Sequence, residues 1–312
     1  MKLAYLSHPD CLRHEMGAGH PESPARLRAI EDRLGAAGVL DWLLHVEAPE
    51  VAPEALRRAH DALYLAELAA LDPGAGYAHV DPDTWANAWS LRAARRAAGA
   101  VVRAVDGVIA GEFERAFCAV RPPGHHATRA AAMGFCFYNN AAIGVLHALD
   151  HHGLARVALI DFDVHHGNGS EDILAGEERV LMVSTFQHPL YPASGVDPLG
   201  PNMCNVPLAP YTDGSALRGA VIRDWLPALD AFRPQLIVVS AGFDAHRDDD
   251  MSQLRWSEDD YAWVTTQIVD VAHRHARGRI VSTLEGGYDL PALGCSVLAH
   301  IRALGETMPA SA

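Results

Sequence analysis

The run Asp161-Phe-Asp163-Val-His165-His166-Gly-Asn168-Gly sets carboxylates and an imidazole at alternate positions. Extended backbone turns residues i and i+2 to the same side, so Asp163 and His165 can reach a single ion. A third ligand is available in Asp244, within Ala-Gly-Phe-Asp-Ala-His. Three mixed carboxylate and imidazole ligands leave positions open for water and substrate, the pattern of a catalytic zinc rather than a structural one. The same donors suit ferrous iron. Standing alone, Asp-x-Asp-x-His reads equally well as two turn-capping aspartates before a satisfied core histidine. Its neighbours tip the balance toward metal chemistry.

Those neighbours include His125 and His126, which follow a stiff Pro-Pro-Gly turn. Adjacent histidines are compatible with two further ligands, two catalytic groups or a buried hydrogen-bonded pair. Asp161 behind one ring would raise its pKa and favour the cation, whereas Asn168 behind the other would leave it neutral near pH 7. A neutral base beside an imidazolium is a workable acid–base set. Tyr288 follows two glycines, whose backbone can approach a site closely. Its phenol could donate to a developing oxyanion. Gly-Gly-Tyr alone suits an ordinary turn as well; its phase with the other clusters favours the catalytic role.

That phase comes from the elements that carry them. Apolar runs predict strands at Leu3–Leu6, Arg115–Val120, Val157–Asp161, Val180–Ser184, Leu236–Ser240 and Ile280–Leu284. Several are apolar at consecutive positions, as expected of parallel strands covered on both faces. Helical patterns occupy Ser23–Ala37, Pro53–Leu71, Thr84–Ala110, Asn139–His151, Ser215–Ala231, Ser257–Ala276 and Leu290–Leu304. Pro24 and Pro53 suit helix starts. The alternation implies an α/β fold, a central, mostly parallel sheet flanked by helices. Four of the strands end in polar clusters, and in such sheets ligands bind beyond the strand carboxyl ends.

With no repeat, linker or low-complexity tract, residues 1–312 are expected to form a single domain. The net charge of −14 repels a phosphate backbone, which argues against direct nucleic-acid binding and suits a cationic substrate. Five scattered cysteines (11, 118, 136, 204 and 295) form neither a disulfide framework nor a cysteine zinc site. The apolar stretch at the amino terminus is too short for a secretory leader, and no run is long enough for a membrane span. A cytoplasmic protein is expected, and a homo-oligomer is compatible with the sequence. The remaining histidine pairs, His151-His152 at a helix end and His273 with His275 on an amphipathic helix, read as structural. Trp256 and Trp263 read as packing residues, and Arg92, Arg95, Arg96 and Arg103 as a solvated helix face.

Taken together, GHPESPARL (Gly19–Leu27), RPPGHHA, MGFCFYNN, DFDVHHGNG, SAGFDAH and LEGGYDL resemble the histone deacetylase superfamily, in its arginase-like fold. Asn168 and Glu285 favour its class II and bacterial amidohydrolase branch. The resemblance implies zinc ligands at Asp163, His165 and Asp244, a general base and acid at His126, an electrostatically stabilising His125 and a carbonyl-polarising Tyr288. It implies an acyl-lysine tunnel walled by Phe135 and by Tyr191, where relatives usually have Phe, with Gly134 and Gly286 beside it and Thr84 in place of a rim serine. It also implies a structural potassium site at Asp161, Ser184 and Thr185 with the backbone of Asp163 and His165. Polyamine-deacetylating relatives carry a glutamate gatekeeper in the loop after GFDA; the matching position here is Met251, an apolar residue like the leucine of lysine deacetylases. An acetylated lysine in a protein or peptide is therefore the first expected substrate, and an acetylated polyamine or other small N-acyl amine the second. A dimanganese ureohydrolase and a non-catalytic acyl-lysine reader are the readings from other classes.

Overall fold

A computed structural model of the chain describes residues 2–305; residues 1 and 306–312 of the expected 1–312 domain lie outside them. In chain order its strands are β1 (Leu3–Ser7), β2 (Leu44–Glu47), β3 (Ala78–His79), β4 (Trp85–Ala86), β5 (Arg115–Cys118), β6 (Val157–Asp161), β7 (Val180–Gln187), β8 (Met203–Leu208), β9 (Leu236–Ala241) and β10 (Ile280–Leu284). The helices are α1 (Ala25–Ala36), α2 (Pro53–Ala59), α3 (Ala62–Ala69), α4 (Ser90–Ala110), α5 (Asn140–Asp150), α6 (Asn168–Leu174), α7 (Gly214–Ala220), α8 (Leu226–Phe232), α9 (Glu258–His275) and α10 (Leu290–Gly305).

Eight strands form one sheet in the order β2-β1-β5-β10-β9-β6-β7-β8, and every ladder in it is parallel. The four central strands, β5, β10, β9 and β6, are buried at every position, which explains their largely apolar character. One group of helices, α2, α4 and α5, packs together, with α4 against β1, β5 and β10 and α5 against β6 and β9. A second group is formed by α1, α9 and α10. The consequence for chemistry is direct: the four polar clusters of the sequence follow the four adjacent central strands, so they emerge side by side.

The six expected strands are present. Two more, β2 and β8, border the sheet. Neither has a buried apolar run: β2 is mostly exposed, and β8 contains Pro207, which an outermost strand tolerates because it need not donate to a neighbour. The expected helix Pro53–Leu71 divides into α2 and α3 at His60, whose backbone is extended and whose ring is buried. The helix expected from Thr84 begins only at Ser90, because Thr84–Trp89 forms a turn and the second strand of the short β3–β4 hairpin. Between α7 and α8 the chain stays helical through a π turn at Val221–Trp225.

Candidate active site

At the end of β6, Asp161 Oδ1 accepts from the Asp163 amide at 3.0 Å, and Asp163 Oδ1 accepts from the His165 amide at 2.9 Å. These turns aim Asp163 and His165 at the ground beyond β9, where Asp244 stands. His165 Nδ1 lies 3.1 Å from Asp163 Oδ1 and 3.2 Å from Asp244 Oδ2, and one donor atom from each residue falls within 4.8 Å of the other two. The other oxygens are engaged: Asp163 Oδ2 accepts from Gly286 N at 2.8 Å and Asp244 Oδ1 from Val164 N at 3.0 Å. Asp244 Oδ2, fully buried, accepts no hydrogen bond. Burial and the charge of Asp163 raise Asp244 to about 6, whereas His125 and His165 outweigh burial to keep Asp163 ionised. Two crowded carboxylates, one orphaned oxygen and a shared imidazole nitrogen are the setting a divalent cation would relieve, so these residues fit a metal ion.

The two histidines of the Pro-Pro-Gly turn have opposite partners. His125 Nδ1 is 3.1 Å from Asp161 Oδ2; burial opposes its charge, but Asp163, Asp161 and Glu285 prevail and push it up to about 10. His126 Nδ1 is 2.8 Å from Asn168 Oδ1, and Asn168 Nδ2 in turn points to the Met133 sulfur. With the amide so oriented, Asn168 Oδ1 accepts the Nδ1 proton and Nε2 keeps its lone pair. Burial, aided by the nearby His125 and His165, lowers His126 well below the usual histidine range. One ring is a cation and the other a neutral base.

The Tyr288 loop is held from three sides. Arg26 donates to the carbonyls of Glu285 and Gly287, and its guanidinium lies 4.8 Å from the Tyr288 ring centre. Asp249 Oδ2 accepts from the amides of Tyr288 and Asp289 at 2.6 and 3.0 Å. Glu285 Oε2 accepts from Gly124 N and His125 N at 2.6 and 3.1 Å, tying this loop to the histidine turn. Burial keeps the phenol protonated at neutral pH, hence a donor. Gly286 admits no side chain: a Cβ there would come 2.0 Å from Asp244 Oδ2.

A cavity of about 190 Å³ opens above these groups, lined by Asp83, His126, Gly134, Phe135, His165, Tyr191, Met251 and Tyr288. Phe135 stands edge-on to Tyr288 at 5.9 Å and Tyr191 edge-on to His126 at 5.2 Å. The expectation for Thr84 needs correcting. Its side chain is fully buried, and Oγ1 accepts from the Phe135 amide while donating to Asp83; Asp83 is the residue that reaches the cavity.

Asp161 and Ser184 lie side by side in the β6–β7 ladder, with Thr185 next along and its hydroxyl buried without a partner. His166 turns away from the ion ligands to Glu171, 2.7 Å distant. Among the described residues, no further carboxylate joins the Asp163, His165 and Asp244 group.

A model of the histone deacetylase domain matches residues 20–304. The chain belongs to the histone deacetylase family. It is a hydrolase of the deacetylase kind. It is 39% identical over 294 residues to a histone deacetylase-like amidohydrolase of Pseudomonas aeruginosa, covering 91% of this chain and 77% of that one. A probable deacetylase of Archaeoglobus fulgidus is 34% identical, with 93% and 82% of the two chains covered. A polyamine deacetylase of Mus musculus is 35% identical over 92% of this chain and 45% of its own. The crystal structure of the HDA15 HD domain superposes with a TM-score of 0.91 at 33% identity, covering 99% of this chain and 90% of that one. The arginase/deacetylase-like fold follows. Sequence reasoning does not single out Arg26 or Asp83, and reads Asp249, with Asp248 and Asp250, only as loop acids that could attract a cation; Arg26 lies within the GHPESPARL block, and only its side-chain reach into the Tyr288 loop is hidden there.

Proposed function

We propose that this histone deacetylase-family chain removes acetyl or related acyl groups from lysine side chains of proteins or peptides. The observation that carries the proposal is the convergence of Asp163, His165 and Asp244 on one point beside His126 and Tyr288, at the base of an aromatic-walled cavity. In this reading the three residues hold Zn2+, or Fe2+ in the cell. When bound, such an ion polarises the acyl carbonyl and lowers the pKa of water.

The chain's own residues perform the remaining tasks. His126, neutral and carrying its lone pair on Nε2, takes a proton from the attacking water. Tyr288, protonated, donates to the oxyanion that forms as the carbonyl carbon becomes tetrahedral. His125, cationic against Asp161, stabilises negative charge developing nearby. The protonated His126 then returns its proton to the departing amine, without which the leaving group would be an amide anion. Phe135 and Tyr191, with Gly134, give the acyl-lysine stem an apolar channel, Met251 and Asp83 line the same cavity, and Gly286 adjoins it beside the Asp163 and Asp244 carboxylates. Asp161, Ser184, Thr185 and the backbone of Asp163 and His165 are proposed to hold a structural K+.

A single-domain enzyme in the cytoplasm is part of the same proposal, supported by one continuous buried core and five unpaired cysteines. No helix among the described residues is long and apolar enough to cross a membrane. An acetylated polyamine is the second reading, favoured by the Asp83 carboxylate at the cavity and by similarity to a polyamine deacetylase. Purified enzyme offered acetyl-lysine peptide and N-acetylputrescine decides the order; strong preference for the polyamine reverses it. Full activity after exhaustive chelation would remove the metal from the mechanism.

A further inference from the structure

Helix α5 ends in a second set of donors that the deacetylase chemistry does not use. His147 and His151 are one helical turn apart, with rings stacked at 4.6 Å and 13°. His152, just past the helix, stands edge-on to both, at 5.2 and 4.9 Å. One nitrogen from each ring lies within 4.8 Å of the other two, so some point is within about 2.8 Å of all three. Zinc–imidazole bonds are about 2.0–2.1 Å, so small ring rotations close the gap. From α4, Asp106 Oδ1 is 2.7 Å from Nε2 of both His147 and His152; it stands outside the group of three, and a shift of its side chain toward His151 would make it a fourth donor. In the sequence His151-His152 reads only as a helix-end pair; folding is what brings His147 and Asp106 to them.

We propose that His147, His151, His152 and Asp106 form a second site, separate from the catalytic one, for a divalent transition ion such as Zn2+, Ni2+ or Cu2+.

Three imidazoles and a carboxylate select these late first-row ions over Mg2+ and Ca2+, which favour oxygen-only shells. His147 is buried, His152 half-buried and His151 exposed, which gives the group a rigid base and a side open to solvent. The His151 ring makes no hydrogen bond among the described residues, so nothing of the fold is given up when it takes an ion. Arg58 Nη1, 3.5 Å from His147 Nδ1, is a weak contact that yields as that ring shifts its proton. An ion here joins α4 to α5. At the opposite end of α5, the side chains of Asn139 and Asn140 donate to the carbonyls of Ala127 and Pro122 on the histidine turn.

Equilibrium dialysis against zinc chloride, with metal analysis, tests the site in the full chain. Wild type is expected to hold two zinc ions and His151→Ala one, with deacetylation by His151→Ala unchanged. Asp244→Asn is expected to keep one ion and lose activity, and added zinc to raise its Tm by roughly 2–4 °C. The double variant Asp244→Asn/His151→Ala should show no such rise. A wild type holding one ion that Asp244→Asn loses, or a His151→Ala chain that retains two, overturns the second site. The first of these results leaves the catalytic reading intact.

Discussion

Thr84 Oγ1 accepts a hydrogen bond from the Phe135 amide at 2.9 Å, and Phe135 has a left-handed φ of 69°. A bulky residue in that conformation is strained, and the bond from a neighbouring loop holds it there. Thr84→Val keeps the shape and leaves the amide without its acceptor, at a cost of about 1–3 kcal/mol. The expected outcome is a KM for acyl substrate raised about 5–10-fold, with kcat within about twofold and recovery in Thr84→Ser. Steady-state kinetics on the three chains would show it, and an unchanged KM in Thr84→Val would separate the bond from substrate binding.

Tyr288→Phe removes one hydroxyl and leaves the ring between Arg26 and Phe135. The loss of an oxyanion donor is expected to lower kcat by roughly 10²–10³-fold while bound metal stays the same. Turnover near the wild-type rate would take the phenol out of the mechanism.

The contact at Gly286 makes a sharper demand. An added methyl would lie 2.0 Å from Asp244 Oδ2 and 2.6 Å from Asp163 Oδ2, so Gly286→Ala must push the ligand carboxylates apart. In a His151→Ala background, metal analysis should find the remaining ion lost and activity gone with it. Retention of that ion at wild-type affinity would mean the carboxylates do not form its site.

His60 supplies a pH dependence with a definite sign. Its Nδ1 meets the Thr128 carbonyl at 2.9 Å and its Nε2 accepts from Asn139 N at 3.0 Å, an arrangement that requires the neutral ring. Burial lowers its pKa to about 4, against the ordinary histidine value of 6.5. The folded state therefore binds the proton less readily than the unfolded state. Its stabilising contribution is complete above pH 6.5 and disappears as pH falls toward 4, a loss of roughly 3 kcal/mol. His300, pushed down to about 3 by burial, acts in the same direction. Urea unfolding at about pH 7.5, 6 and 5 should show a steeper acid loss for wild type than for His60→Gln. Parallel slopes would contradict this account.

The parts of the fold that can be read in advance are those where burial is written into every residue, such as β9 and β10. The ion ligands are legible because their spacing is local, Asp163 to His165, or because they share a strand-end phase, as Asp244 does. What the sequence hides depends on contacts between distant segments. Asp249 braces Tyr288 from 39 residues away, and Arg26 reaches Gly287 from 261 residues away, with no local pattern to announce either. The β2 and β8 strands are hidden for another reason, since an outermost strand has less need of apolar residues or of every backbone donor. Thr84 shows a third kind of failure: the segment expected at the rim does meet the cavity, but the residue lining it is the neighbour Asp83.

The order of the sheet also bears on how the enzyme is born. Among the described residues β10 is the latest of the sheet's strands in chain order, yet it seats between β5 and β9, in the middle. Until residues 280–284 have left the ribosome, the β1–β5 half and the β9–β6 half have no ladder joining them. Tyr288 lies still further along, after every other residue proposed for catalysis. The central strand thus joins the sheet half that carries the histidine turn after β5 to the half that carries the ion ligands after β6 and β9.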